Sequence, residues 1–180
     1  MTDLAYPDPP LQDGRFGLRA WRPTDLECVR LASTDPQIPL GTTVPAVFTP
    51  DAGRDFVARQ ISRARTGQGL ALAIADLTDD RAIGHLWLGR RPQENVAGVG
   101  YWVIPSDRRR GAAASALRLI VPWAFASWGV RRIEAWVAPD NLASRHTLLG
   151  AGFELEGRLR NFLTVGGQTA DALVFSTIDG

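Results

Sequence analysis

The stretch 101–120, YWVIPSDRRRGAAASALRLI, decides the reading of this chain. An apolar run with strand character stops at Pro105, which cannot donate to a sheet ladder. Arg108, Arg109 and Arg110 follow, and Gly111, Ala112 and Ala113 then open a helical pattern. A helix N-terminus exposes unpaired N–H groups and carries about half a positive charge. Small residues there let a ligand approach the backbone, and the arginines add mobile positive charge beside it. This combination suits a pyrophosphate. The stretch lacks the Gly-Lys-Ser/Thr of a P-loop and the G-x-G-x-x-G of a dinucleotide fold.

Working outward, residues 1–14 read as an N-terminal tail, with Pro7, Pro9 and Pro10 and no periodicity. Residues 15–180 read as one domain. Phe16, Leu18 and Ala20 alternate with polar neighbours, as in a strand. Thr24 is a plausible cap for the helix that follows. Residues 34–49 form a long connection of the kind that often carries function. Thr49-Pro50 caps a helix over 51–66. The middle is sheet: GLALAIADL, RAIGHLWLG and VAGVGYWVI are three strands joined by turns. A helix over 112–128 contains Pro122, which predicts a kink or weakened turn. RRIEAWVA is a further strand. DNLASRHTLLGAG is a short helix capped by Asp140 or Asn141. The end is a hairpin turning at Gly166-Gly167.

Composition narrows the classes. Hydrophobic residues make up 45% of the 180, which excludes disorder. All 20 basic residues are arginine, yet net charge is only +1, so no polyanion-binding surface is expected and no nucleic-acid partner. One cysteine, Cys28, excludes an internal disulfide, and two histidines argue against a metal site. No apolar run reaches membrane-span length, and the first residues lack a signal pattern. The expectation is a soluble cytoplasmic protein without a membrane partner.

Arg108-x-x-Gly111-x-Ala113 resembles the Q/R-x-x-G-x-G/A signature of the GNAT N-acetyltransferases. RRIEAWVAPDNLASRHTLLGAGF is similar to a run in the RimJ/RimL-like branch, the ribosomal-protein N-terminal acetyltransferase type. LRAWRPTDLE and the final hairpin resemble that branch too, so the likeness spans about residues 16–178. It implies an α/β GNAT fold: a mixed, mostly antiparallel sheet, splayed between its fourth and fifth strands, with helices on both faces. It implies acetyl-CoA as co-substrate, no metal, and an amine acceptor; a homodimer is an assembly it allows. The backbone of Trp102, Val103 and Ile104 would hold the pantetheine arm. The N–H groups of Arg109 to Ala113, flanked by Arg108, would hold the pyrophosphate. Asn141 would contact the pantetheine. Ser144, one helical turn on, would face the thioester sulfur.

Two loop positions depart from the branch, Arg109 for glycine and Ala112 for a large residue. A third departure concerns chemistry. Gly98 stands where many relatives carry a glutamate, so a candidate base is missing from that strand. Glu134 is the remaining base candidate, set against a structural carboxylate paired with an arginine. His85 reads as a satisfied structural histidine. Cys28 reads as core, and Arg90-Arg91 as loop charge, with guidance of an acidic substrate as the alternative. Trp87 and Trp136 are candidates for an acceptor-pocket lining.

An α-amine, with a pKa of about 7.7–8.0, needs less help from a base than a lysine near 10.4. The expected function is direct acetyl transfer to a primary amine, a protein N-terminal α-amine among the candidates. The alternatives are a small-molecule amine, antibiotics included, and a non-catalytic acyl-CoA-binding regulator.

Overall fold

The computed structural model describes residues 4–180. Eight strands make one sheet: β1 (Leu11–Gln12), β2 (Phe16–Ala20), β3 (Leu70–Asp76), β4 (Arg81–Arg90), β5 (Val96–Val103), β6 (Arg132–Val137), β7 (Glu154–Val165) and β8 (Gln168–Ile178). Their order is β1-β2-β3-β4-β5-β6-β8-β7. Every neighbouring pair is antiparallel except β5 and β6. The helices are α1 (Leu26–Ser33), α2 (Ile38–Gly41), α3 (Pro50–Arg65), α4 (Ala112–Trp128) and α5 (Leu142–Gly150). Helices α1 and α3 cover one face, α4 and α5 the other. The expected α/β fold is therefore observed. Its fourth and fifth strands are β5 and β6, because Leu11–Gln12 adds a strand ahead of them.

The core follows from sequence periodicity. All seven residues of β3 are buried, as expected of a near-continuous apolar run with a layer on each side. On one face, Trp21, Phe56, His85 and Trp102 form an aromatic cluster. Trp21 meets Phe56 edge-on at 5.3 Å, and His85 stacks on Trp102 at 5.7 Å. On the other face, Leu117, Ile120 and Ala124 of α4 are fully buried. Burying each such aliphatic side chain contributes about 1.5–3 kcal/mol.

Local signals set the boundaries. Thr49 caps α3, its Oγ1 accepting from the Ala52 N–H at 3.1 Å, with Pro50 opening the first turn. Gly166 and Gly167 turn the β7–β8 hairpin at φ +57° and +79°, where other residues would be strained. Pro122 lies on the exposed side of α4, which stays continuous through it, so the expected weakening does not break the helix.

Three local expectations change. Asp25, not Thr24, begins α1: its carboxylate accepts from the Arg22 N–H at 2.8 Å and pairs with buried Arg19 at 2.9 Å. The 34–49 connection contains α2. Part of the expected tail is docked, because Leu11 and Gln12 pair with β2. Asp13 joins this edge to α4, accepting from the Phe16 N–H at 2.9 Å and from the Ser115 hydroxyl.

Candidate active site

The sheet opens where its two parallel strands part. Strands β5 and β6 pair only at Val96↔Arg132, Ala97↔Ile133 and Gly98↔Glu134. Beyond Gly98 they diverge, while β5 stays paired to β4 as far as Val103. The Ile104 N–H donates to the Ile83 carbonyl at 2.9 Å. Backbone groups alternate direction along a strand. Trp102 and Ile104 therefore point toward β4, and Tyr101 and Val103 point into the gap; the Val99 N–H, on the same side, is taken by the Glu134 carbonyl in the last β5–β6 bridge. The Ile104 carbonyl also accepts from the Asp107 N–H at 3.0 Å, and the Val103 carbonyl from Arg108 Nε at 2.9 Å. Of the three residues expected to hold a pantetheine arm, only Val103 thus keeps a backbone group facing the gap, its N–H. The Val99 carbonyl and Tyr101 complete the free edge.

At the end of β5 the chain makes one 3-10 turn, Pro105–Asp107, and enters the arginine loop. Arg109 and Gly111 are left-handed, at φ +59° and +86°. A non-glycine residue there stores about 1–3 kcal/mol, a cost concentrated at functional sites. The N–H groups of Arg109, Arg110 and Gly111 have no hydrogen-bond partner among the described residues. The first turn of α4 adds further unpaired N–H groups beneath the small side chains of Ala112 and Ala113. Successive unpaired N–H groups facing one side make a concavity of the kind that suits an anion.

The three arginines divide their work, which corrects the expectation of a uniformly mobile charge. Arg108 binds Asp35 at 2.7 Å. Arg110 binds Asp76 at 2.7 Å and also Asp107. Asp107 is buried and takes Arg81 as well, at 2.7 Å. The Arg81 hydrogen bond is the main reason the Asp107 carboxyl is held below its ordinary range. Asp76 is held low by the Thr78 hydroxyl first and by Arg110 further down. Of the three, only Arg109 is exposed with no ion pair among the described residues.

Helix α5 brings the next candidates. Asn141 Oδ1 accepts from the Ser144 N–H at 3.1 Å, so Asn141 is the cap and its amide nitrogen stays available. Tyr101, across the gap on β5, donates its hydroxyl to the Ser144 carbonyl at 3.2 Å. Burial pushes the Tyr101 phenol up to about 12, against the pull of its bonds to Ser144 and Thr147. Ser144 is thus fixed through its backbone on both sides, and its own hydroxyl is unengaged among the described residues. Sequence reasoning missed Tyr101; its place one residue before Trp102, on the opposite face of β5, was the available signal.

The other face of the parting point holds Gly98, Glu134, Trp136 and Arg91. Glu134 Oε1 takes Arg132 Nε at 2.7 Å, and Arg132 also binds Glu156. Glu134 therefore has the arginine partner that a structural carboxylate would have, with one oxygen left over. His85 is buried, accepts at Nδ1 from Trp21 Nε1 at 3.2 Å, and is pushed down to about 3 by burial and then by Arg63. It is a neutral structural histidine. Burial raises the Cys28 thiol well above its ordinary value, in keeping with a core role. Arg90 donates to the Trp128 carbonyl at 2.6 Å, on the α4 side. Arg91 lies instead on the face of Gly98, with its guanidinium 3.5 Å from the centroid of Trp136. A cleft of about 160 Å³ opens beside it, lined by Gln68, Trp87, Arg91, Gly98 and Gly100 among others. Among the described residues no group of three or more metal-ligating side chains occurs, and no helix is long and apolar enough to cross a membrane.

A mixed sheet parted between its parallel strands, with an anion-binding loop at the end of the gap, is the architecture of an acyl-CoA-dependent acyltransferase. Known proteins agree. The family model described as an acetyltransferase (GNAT) domain matches residues 15–154. A Bacillus subtilis protein named as an uncharacterized N-acetyltransferase, YoaA, is 38% identical over 82 residues, 46% of each chain. Another from Bacillus subtilis, named as a probable N-acetyltransferase, YjcK, is 30% identical over 134 residues, covering 73% of this chain and 74% of that one. The structure of Mycobacterium smegmatis RimJ in complex with CoA-disulfide superimposes with a TM-score of 0.78 at 27% identity, covering 94% of this chain and 85% of RimJ. The chain belongs to the GNAT family of N-acetyltransferases. Acetyl-CoA is its co-substrate, and the gap and loop described above fit that molecule through unpaired N–H groups rather than side chains.

Proposed function

We propose that this enzyme acetylates the α-amine of a protein or peptide N-terminus. The observation that carries the reading is at Gly98, where the strand offers no carboxylate and Arg91 fills the space instead. The carboxylate nearest the parting point is Glu134, with one oxygen on Arg132. An amine that arrives partly neutral suits such a site. An α-amine, pKa about 7.7–8.0, does so at pH 7, and a lysine near 10.4 does not.

The residues then have the following roles. Acetyl-CoA supplies an activated acyl group when bound. The N–H groups of Arg109 to Ala113 hold its pyrophosphate, and Asn141 with the free edge of β5 aligns its pantetheine arm. The Tyr101 N–H, next along the strand after the last β5–β6 bridge, would face a thioester oxygen as it gains negative charge. Glu134, through its free oxygen, accepts the proton that the amine gives up. As the new C–N bond forms and the C–S bond breaks, the Ser144 hydroxyl hydrogen-bonds the departing thiolate.

A small-molecule amine is the second reading. It is favoured by the aromatic wall of Trp136 and Phe162, which meet edge-on at 4.6 Å. The test is thiol release from acetyl-CoA with a peptide panel and a small-amine panel, with the acetylated atom located by mass spectrometry. Acetylation at peptide α-amines is the expected result. Acetylation confined to lysine side chains, or to small amines, overturns the proposal.

A further inference from the structure

Arg91 fills the space beside Gly98, and no carboxylate closes an ion pair with it among the described residues, Glu134 acting on it only from a distance. A Cβ built on Gly98 would lie 2.5 Å from Arg91 Nε and 2.6 Å from its Cζ and one terminal nitrogen. The guanidinium therefore covers Gly98 directly and is held in place by the face of Trp136. No ion pair to Arg91 occurs among the described residues, and its Nε is buried without a partner. The nearby carboxylate, Glu134, is engaged with Arg132. Arg63 lies over the ring of Trp87, a residue of the same cleft, at 4.7 Å, also without an ion pair among the described residues. Burial holds both guanidinium groups below their usual pKa, with the Glu134 charge pulling Arg91 partly back up and the Arg59 charge pushing Arg63 further down. A buried donor without a partner is costly, and a planar fork of N–H donors fits a carboxylate two-pronged.

We infer that Arg91 selects acceptors carrying a carboxylate close to the reacting amine. The inference rests on the proposed amine acetylation and names the acceptor class for it. The carboxylate can be an acidic side chain at a peptide N-terminus or the α-carboxylate of a free amino acid. The shared chemistry is an amine and a carboxylate a few bonds apart. Gly98 is then not merely the loss of a base. Its missing side chain leaves room for the guanidinium, and the position changes from one that would repel an acidic acceptor to one that attracts it.

Matched acceptors test this: peptides beginning Asp or Glu against peptides beginning Asn or Gln, and free alanine against alaninamide. In the wild-type enzyme the carboxylate member of a pair should have a kcat/KM at least about tenfold higher, as expected for a charge-assisted pair. Arg91→Gln should bring that ratio to near one, and Arg91→Lys should keep only part of it, because a lysine cannot form the fork. Thermal unfolding checks that each variant is folded. The peptide pair and the amino-acid pair distinguish the two sources of the carboxylate. A second measurement does not depend on turnover: calorimetric binding of N-acetylated Asp and Asn peptides to enzyme saturated with CoA. If no amine is acetylated but the acidic product peptide still binds more tightly, the acceptor proposal falls and the role of Arg91 stands. If neither the kinetic nor the binding preference exists in the wild type, or both survive Arg91→Gln, the role of Arg91 falls.

Discussion

Tyr101 and Ser144 lie on different secondary-structure elements, yet the phenol of one donates to the carbonyl of the other at 3.2 Å. The bond bridges the gap between β5 and α5 and sets where the Ser144 hydroxyl can point. Ser144→Ala should lower kcat by about 10²-fold, the scale of losing one donor to developing charge, with little change in acetyl-CoA affinity. Tyr101→Phe should cost about 1 kcal/mol of stability and a smaller part of kcat. Because the phenol stays protonated up to about 12, Tyr101→Phe should leave the shape of the neutral pH–rate profile unchanged. Full turnover by Ser144→Ala would remove that hydroxyl from the chemistry.

In the arginine loop, backbone and side chain can be tested apart. Gly111→Val places a branched side chain at φ +86°, which should cost about 1–3 kcal/mol and misalign the N–H groups around it. Calorimetry should show acetyl-CoA binding severely weakened. Arg109→Ala removes one exposed charge, so affinity should fall only modestly and become less sensitive to salt. Equal damage from both variants would mean that the Arg109 side chain, and not the backbone, carries the phosphate.

Stability should depend on pH in two windows. His85 is neutral when folded, with a value of about 3, against about 6.5 unfolded. Between these values the unfolded chain binds the extra proton, so stability falls as pH falls, by at most about 1.4 kcal/mol per pH unit. Asp107 and Asp76 are depressed in the folded state. Their contribution is intact above about pH 4 and is lost as pH falls through their folded values. Urea unfolding from pH 7 down to pH 3 should show both slopes. His85→Gln, which can still accept from Trp21, should flatten the upper one alone.

Glu134→Gln tests the base. If its free oxygen takes the amine proton, kcat/KM at pH 7 should drop by about 10²-fold. The loss should shrink above pH 8, where an α-amine is mostly neutral unaided. A constant loss at every pH would assign Glu134 to holding Arg132.

Strand and helix order were legible because Phe16, Leu18 and Ala20, the GLALAIADL run and Gly166-Gly167 carry local signals that tertiary packing reinforces. The turn from β5 into α4 was legible for the same reason. What the sequence hid was partnership over distance. Arg108 and Arg110 look equivalent to Arg109 in a run of three, but Asp35, Asp76 and Asp107 capture them from other elements. Backbone direction along β5 depends on the β4 register, so Trp102 and Ile104 could not be told from Tyr101 and Val103 in advance. Arg91 looked like loop charge because nothing in the sequence places Trp136, 45 positions later, under its guanidinium.

One backbone contact has a topological consequence. The Gly166 N–H, at the tip of the β7–β8 hairpin, donates to the Leu40 carbonyl at 3.2 Å, at the end of α2. If the acceptor enters between these two elements, the contact closes its entrance into a ring. A loose chain end can be threaded through a ring, whereas a lysine in the middle of a folded surface must first break it. Selection of termini would then begin with the shape of the entrance, before any charge is read.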